Sequence, residues 1–209
     1  MDKFTYLYKE FKNIYKMSYT RDNFTLSTGK EIEIYQSEGD FLGWDNFGTM
    51  ICFHNNYDLG HKHDLNSNDY NNWQEVEKAI MKEYNVKAIL PLYLYDHSGI
   101  TISTEPFGCR WDSGQVGFII ATKENIEKLT SVKRVTKQYK EKLEGYLKEE
   151  VNTYDKELTG DVWGFTTIDK EGETDSCSGF YGDNWEENGI LDHMCLTEEE
   201  QKEFLNNIS

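Results

Sequence analysis

The sequence predicts an α+β fold, in which an antiparallel sheet built of a meander and hairpins is flanked by helices. Strand-like segments follow one another across tight turns, and this implies antiparallel pairing. Helical segments fall in blocks between the strands and do not alternate with them, which is typical of the α+β class. The 209 residues contain no linker-like stretch, so we expect a single domain over residues 1–209.

The strand predictions rest on runs of β-branched and aromatic residues between turn residues. Residues 25–28 and 31–35 flank Gly29-Lys30 and therefore predict a hairpin. The apolar run 88–95 predicts a central strand, although Pro91 removes one hydrogen-bond donor from it. The other predicted strands are 49–54, then 100–104 and 116–122 as the rest of the meander, and 162–168 paired with 179–181 across the turn 169–172.

The helix predictions rest on apolar residues spaced three and four apart. This spacing predicts an amphipathic helix in residues 1–17, a helix from Trp73 to Tyr84 capped by the Ser67-Asn68-Asp69 segment, and a long helical stretch that can break near Ser131. The long stretch covers residues 123–158. A last helix is predicted at 197–205, where Thr197 and Glu200 have the spacing of a capping box.

The charge of the chain is strongly negative and uneven. The formal net charge is −16, and residues 151–209 hold 15 acidic and 3 basic residues, a net of −12. Direct binding to nucleic acid or to an anionic membrane is disfavoured, because both are polyanions. A basic partner is favoured, and solubility alone is the alternative explanation.

The sequence also indicates where the protein works. The first residues lack the apolar core of a secretory signal, and no run of about 18 apolar residues predicts a membrane span. The four cysteines form no CxxC pair, so we expect reduced thiols in a cytoplasmic protein. No phosphate-loop, dinucleotide or kinase motif is present, and we expect no cofactor.

One candidate for catalysis lies in residues 96–115. Cys109 could act as a nucleophile, with His97 as its base and Asp112 orienting the imidazole. Ser98 or Ser113 could replace the thiol less plausibly. The alternative is a structural loop, which we expect, with Asp112 bonded to backbone amides and Trp111 packed on the core.

A second candidate is a metal site in the histidine-rich stretch 54–64. His54, His61 and His63 lie there together with two carboxylates, Asp58 and Asp64. In an extended segment His61 and His63 would point the same way, as the ligands of a zinc site can. The alternative is an exposed polar loop, and we expect no tightly bound metal.

A third candidate is an acidic surface in residues 151–209, where carboxylates alternate with aromatic residues. Such a surface can imitate a nucleic-acid strand and occupy a basic groove on a partner. The residues expected to face this partner are Asp169, Glu171, Glu173, Asp175, Asp183, Glu186 and Glu187. The alternative is a core of aromatics beneath a solvated acidic surface.

Several segments resemble a family of small proteins encoded by bacteriophages and other mobile elements, whose activity is not assigned. The most specific segment is Trp-Asp-Ser-Gly-Gln at 111–115. The others are 57–63, 94–101, 109–117, 158–164, 175–177 and 179–182, so the resemblance covers roughly residues 50–195. It implies a phage setting, where small acidic proteins often inhibit host defence, as anti-CRISPR proteins do.

The leading hypothesis is therefore an anti-defence protein and not an enzyme. It would work in the cytoplasm of the host cell, where it inhibits a basic, nucleic-acid-handling complex such as a CRISPR effector. The first alternative is a hydrolase that uses Cys109 and His97. The second alternative is a metal-stabilised binding module that uses His61 and His63.

Overall fold

The computed structural model describes residues 20–130, 132 and 135–208. The helix predicted at 1–17 lies outside these residues. The strands are β1 (Thr20–Thr25), β2 (Glu31–Gln36), β3 (Thr49–Cys52), β4 (Val86–Asp96), β5 (Ile100–Ser103), β6 (Ser113–Thr122), β7 (Val162–Ile168) and β8 (Thr174–Tyr181). The helices are α1 (Trp73–Glu83), α2 (Lys123–Leu129), α3 (Lys137–Thr159), α4 (Ile190–His193) and α5 (Glu198–Asn207).

All strand pairs among these elements are antiparallel, which confirms the α+β class. The strands form two four-stranded sheets and not one. The chain also divides into two compact units. The terminal unit consists of Met1–Gly39 and Gly160–Ser209, and the inserted unit is Asp40–Thr159. The expectation of a single domain stays a prediction.

The terminal unit is built on a sheet with the order β1-β2-β7-β8. The predicted hairpin of β1 and β2 is confirmed, and Gly29 takes the left-handed conformation (φ +87°) that its turn requires. The helices α4 and α5 contribute to a core beneath one face of the sheet. That core consists of Leu26, Ile32, Ile34, Phe165, Phe180, Trp185, Ile190, Met194, Phe204 and Ile208.

The predicted capping box at the start of α5 is also confirmed. The Thr197 side chain accepts a hydrogen bond from the Glu200 amide, and the Glu200 carboxylate accepts one from the Thr197 amide at 3.0 Å. Glu200 also accepts a 2.6 Å hydrogen bond from the Thr28 hydroxyl. These bonds, that of Thr28 foremost, lower the pKa of Glu200. The same carboxylate therefore caps α5 and holds it against the β1–β2 turn.

The inserted unit is built on a sheet with the order β3-β6-β4-β5. Strand β6 therefore pairs with β4 and β3, whereas the meander prediction had placed it after β5. The outer edge of the short strand β5 is occupied by α3, where the Asp155 carboxylate accepts hydrogen bonds from the Ile102 amide (2.7 Å) and the Thr101 hydroxyl (2.6 Å). With that edge covered, β6 pairs along the other edge of β4.

Helices cover both faces of this second sheet. Val76 and Ile80 of α1 pack in a cluster with Phe118 and Ile120. Ile119 points to the other face because side chains alternate along a strand, and there both Ile119 and Leu147 of α3 border Gly48. Neighbouring residues of β6 therefore face different helices, and β6 is buried from Val116 to Thr122.

Two local predictions need correction or refinement. The side chain that caps α1 is Asn72, which accepts a 3.0 Å hydrogen bond from the Glu75 amide, whereas residues 67–69 form a separate 3₁₀ turn. The long helical stretch is interrupted as expected, since α2 ends at Leu129 and α3 begins at Lys137. Pro91 is tolerated in β4 because β5 pairs with β4 only from Tyr93 onward.

Candidate functional site

The three residues predicted for catalysis lie together at one end of the inserted unit's sheet. His97 is in the β4–β5 turn, whereas Cys109 and Asp112 belong to the loop that leads into β6. The Cys109 thiol donates a hydrogen bond to Asp112 Oδ2 at 3.3 Å, and His97 Nδ1 lies 3.7 Å from the same oxygen. The Cys109 thiol and the His97 imidazole thus converge on one carboxylate, that of Asp112.

The order of these groups differs from that of a catalytic triad. In a triad the imidazole lies between nucleophile and acid, whereas here the carboxylate of Asp112 lies between Cys109 and His97. A thiolate at Cys109 would lie about as close to this carboxylate as the thiol does, and the two negative charges would repel. The arrangement therefore suits a hydrogen-bonded loop better than an activated thiol.

The serines of this segment are placed differently from each other. The Ser113 hydroxyl donates to the backbone carbonyl of Cys109, so it closes the loop. Ser98 is exposed in the β4–β5 turn and takes the left-handed conformation with φ +59°. Neither serine has a hydrogen bond to His97 within the part of the chain that the structure describes.

The expected packing of this loop is wrong in two respects. Trp111 is 95% exposed and does not pack on the core. The Asp112 carboxylate faces a thiol and an imidazole, and it is the backbone carbonyl of Asp112 that accepts a 2.8 Å hydrogen bond from the Asp96 amide. Because the bonds of Asp112 and Ser113 close the base of the loop, Trp111 is left at its outer side.

Aromatic residues beside this loop were missed by the sequence analysis. Tyr95 packs against Phe107 with ring centroids 5.7 Å apart. Tyr57 donates a 3.1 Å hydrogen bond to Asp96, and this bond raises the pKa of Tyr57. The alternation of Tyr93 and Tyr95 along β4 is the sequence signal that could have indicated this half-exposed aromatic face.

The histidines of the predicted metal site are each bound to backbone. His61 Nδ1 accepts a 3.0 Å hydrogen bond from the Met50 amide, His63 Nε2 lies 2.8 Å from the Cys52 carbonyl, and His54 Nδ1 accepts from two loop amides. Over the described ranges no group of three or more metal-ligating side chains is close enough to hold an ion. Burial lowers the pKa of His61, so its neutral form suits this hydrogen bond.

The predicted acidic surface belongs to the terminal unit. Six of its seven carboxylate residues are exposed, and the seventh, Asp169, accepts a 2.7 Å hydrogen bond from the Glu173 amide in the β7–β8 turn. The described residues of this unit comprise 17 acidic and 4 basic residues. Lys30 is one of the four, and it lies 3.9 Å from Glu200 and is mostly buried. The negative charge of this unit is thus weakly compensated.

One cation that was not predicted from the sequence, Arg21, lies among these acids. The Arg21 guanidinium carbon is 5.1 Å from the ring centroid of Trp163 and 5.0 Å from that of Trp185. The same side chain is 3.6 Å from the Asp183 carboxylate. We call Trp163, Trp185 and Asp183 the indole cage. Both tryptophans belong to the aromatic residues that alternate with acids in residues 151–209, but nothing near Arg21 in the sequence links it to them.

Two open depressions lie elsewhere on the inserted unit. One has a volume of about 430 Å³ and is lined by Lys87, Lys123 and neighbouring residues of α2. The other has a volume of about 200 Å³ and lies between Trp73 of α1 and Pro91 of β4. None of the residues predicted for catalysis, metal binding or partner binding lines either one.

The chain matches no protein-family model, no curated protein and no solved structure. Among the helices of the described residues, none is both long and apolar enough to cross a bilayer.

Proposed function

We propose that the protein is a phage-type anti-defence factor that binds and inhibits a basic, nucleic-acid-handling complex in the host cytoplasm. The observation that carries this proposal is the exposed acidic surface of the terminal unit. Glu171, Glu173 and Asp175 are exposed on the β7–β8 turn and the start of β8, and Glu186 and Glu187 are exposed in the loop after β8. These carboxylates offer a basic groove the charge that a nucleic-acid backbone would offer.

Charge complementarity has a measurable consequence. A concentrated field speeds association with an oppositely charged partner, and salt weakens it because exposed charges are screened beyond about 10 Å at 0.1 M. The field costs little stability, because exposed charges contribute weakly to folding. Binding should therefore respond to charge reversal although the fold does not.

The test compares two variants that change the net charge equally. The first reverses Glu171, Glu173, Glu186 and Glu187 to Lys in the terminal unit. The control reverses the exposed acids Asp64, Glu83, Glu141 and Glu149 of the inserted unit to Lys. Each purified protein is immobilised on a resin and incubated with nuclease-treated host lysate. The captured proteins are then identified by mass spectrometry.

We expect the parent and the control to capture basic, nucleic-acid-binding proteins and the first variant to lose them. A purified CRISPR effector complex then serves as a direct probe, with displacement of its labelled target DNA as the readout at low and high salt. The proposal fails if the first variant captures the same proteins as the parent, since the acidic surface would then serve only solubility.

A further inference from the structure

We propose that the indole cage receives an arginine side chain of the basic partner, which enters in place of Arg21. This inference rests on the proposed function and names the chemistry of the contact. The cage already holds a guanidinium, because Arg21 lies about equally far from both indole rings and beside Asp183. A planar cation between aromatic faces and near a carboxylate is a combination that arginine satisfies better than lysine.

The cage is fixed independently of Arg21. Trp163 donates a 2.7 Å hydrogen bond from its indole nitrogen to Asp161, and its ring meets that of Trp185 edge-on with centroids 5.8 Å apart. Trp185 in turn packs edge-on against Phe204 in the core, with centroids 6.5 Å apart. Both rings would therefore keep their positions if Arg21 left.

Arg21 itself lies at the edge of the sheet. It lies in β1, which is an edge strand of the sheet, and the pairing register with β2 shifts between Thr20 and Asp22. Such a bulge re-aims a side chain away from the regular strand direction. The Arg21 side chain is three-quarters buried, with 24% exposed, and its Nε also lies 3.4 Å from the Asp22 carboxylate. A partner arginine must therefore displace ion pairs with both Asp22 and Asp183, but it can do so at the sheet edge without separating β2, β7 and β8.

Arg21 competes with a partner arginine for the indole cage. While Arg21 occupies the cage, a partner arginine competes with it, and the apparent affinity falls in proportion to the fraction of cages that are open. Removing Arg21 should therefore strengthen arginine binding. Any loss of a positive charge also strengthens binding of a basic ligand, so a matched control must remove a charge elsewhere on the acidic surface.

The experiment uses the full chain with labelled oligoarginine and oligolysine peptides of equal length, whose binding is measured by fluorescence anisotropy at physiological salt. The variants are R21A, R21K and the control K170A, which removes an exposed lysine from the β7–β8 turn. We expect the parent to prefer oligoarginine. R21A should tighten oligoarginine binding about tenfold more than K170A does, whereas R21K, which keeps the charge but not the planar group, should give a smaller gain.

Intrinsic tryptophan fluorescence shows whether the cage is the place of contact. Oligoarginine should change the emission of R21A more than that of R21A/W163L, which lacks one ring. If both peptides bind equally and R21A behaves as K170A, the cage proposal is overturned while the acidic docking surface stands. If neither peptide binds any of the proteins, both proposals are overturned.

Discussion

Replacing Gly117 by Ala is expected to destabilise the inserted unit severely. Gly117 lies in β6 opposite Cys52 of β3. A Cβ atom built on Gly117 would lie 2.0 Å from the Ile51 carbonyl oxygen and 2.9 Å from the Cys52 Cα. These atoms belong to the backbone of the neighbouring strand, so no side-chain rotation can relieve the contact.

The cost follows from the movement that relief requires. Real Cβ contacts essentially never fall below 3.0 Å, so β3 would have to retreat by about 1 Å from Gly117. The hydrogen bond from the Phe53 amide to the Val116 carbonyl, now 2.7 Å long, would then exceed the length at which a hydrogen bond persists. Leaving such buried groups unpaired and displacing Ile51 should cost about 3–5 kcal/mol.

The matched control is Gly114→Ala in the same strand. Nothing lies within 4 Å of a Cβ atom at Gly114, so the variant should be neutral or more stable by about 0.5 kcal/mol, because alanine restricts the unfolded chain. Urea unfolding of both variants gives the free energies, and hydrogen exchange of the amides in residues 49–53 locates the loss. A G117A protein within about 1 kcal/mol of the parent would refute the close approach of β3 and β6.

Three further predictions concern the candidate sites. Burial lowers the pKa of His61 from 6.5, so the folded state binds fewer protons there than the unfolded chain, and the free energy of unfolding should fall as the pH drops below about 6.5. His61→Gln should flatten this part of the stability–pH profile, and an unchanged profile would contradict a buried, neutral His61. Iodoacetamide should alkylate Cys109 faster than Cys52, because burial raises the pKa of Cys52 to about 12. Asp112→Asn should speed the alkylation of Cys109 by removing an adjacent negative charge. Mass spectrometry measures both rates, and slower alkylation of Cys109 in D112N would instead identify Asp112 as a base. Trp111→Ala should change the unfolding free energy by less than about 0.5 kcal/mol because the side chain is 95% exposed, and a larger loss in chemical denaturation would show that the ring packs on the protein.

The sequence was most informative where structure is decided locally. The Gly29 turn and the Thr197 capping box depend on residues within four positions of each other, and both are confirmed. The position of β6 was not predictable in the same way, because its choice between β4 and β5 depends on Asp155 of α3. This residue lies more than thirty positions beyond the end of β6, and through it α3 covers β5. Periodicity records which residues are apolar but not which edge of a strand is free.

In the candidate sites, too, features set by nearby residues were predictable and those set by side-chain geometry or distant residues were not. Cys109, Asp112 and His97 were named together as a candidate site from their residue types alone. Their actual arrangement, with the carboxylate in the central position, depends on side-chain geometry that the sequence does not record. Trp111 was assigned to the core because tryptophan is usually well buried, although it lies at the outer side of a closed loop. Arg21 could not be linked to the acidic surface, since more than 140 positions separate it from Trp163.

The division of the chain into an inserted and a terminal unit has a consequence for the order of folding. Strands β2 and β7 are paired neighbours, yet the whole of Asp40–Thr159 is synthesised between them. A flexible loop of this length makes closure slow and entropically costly. The inserted unit joins its own two ends, because the Phe41 amide donates a 2.8 Å hydrogen bond to Glu157. During synthesis we therefore expect the inserted unit to fold first. Its two ends are then close together, so the pairing of β7 with β2 closes a loop that is effectively short.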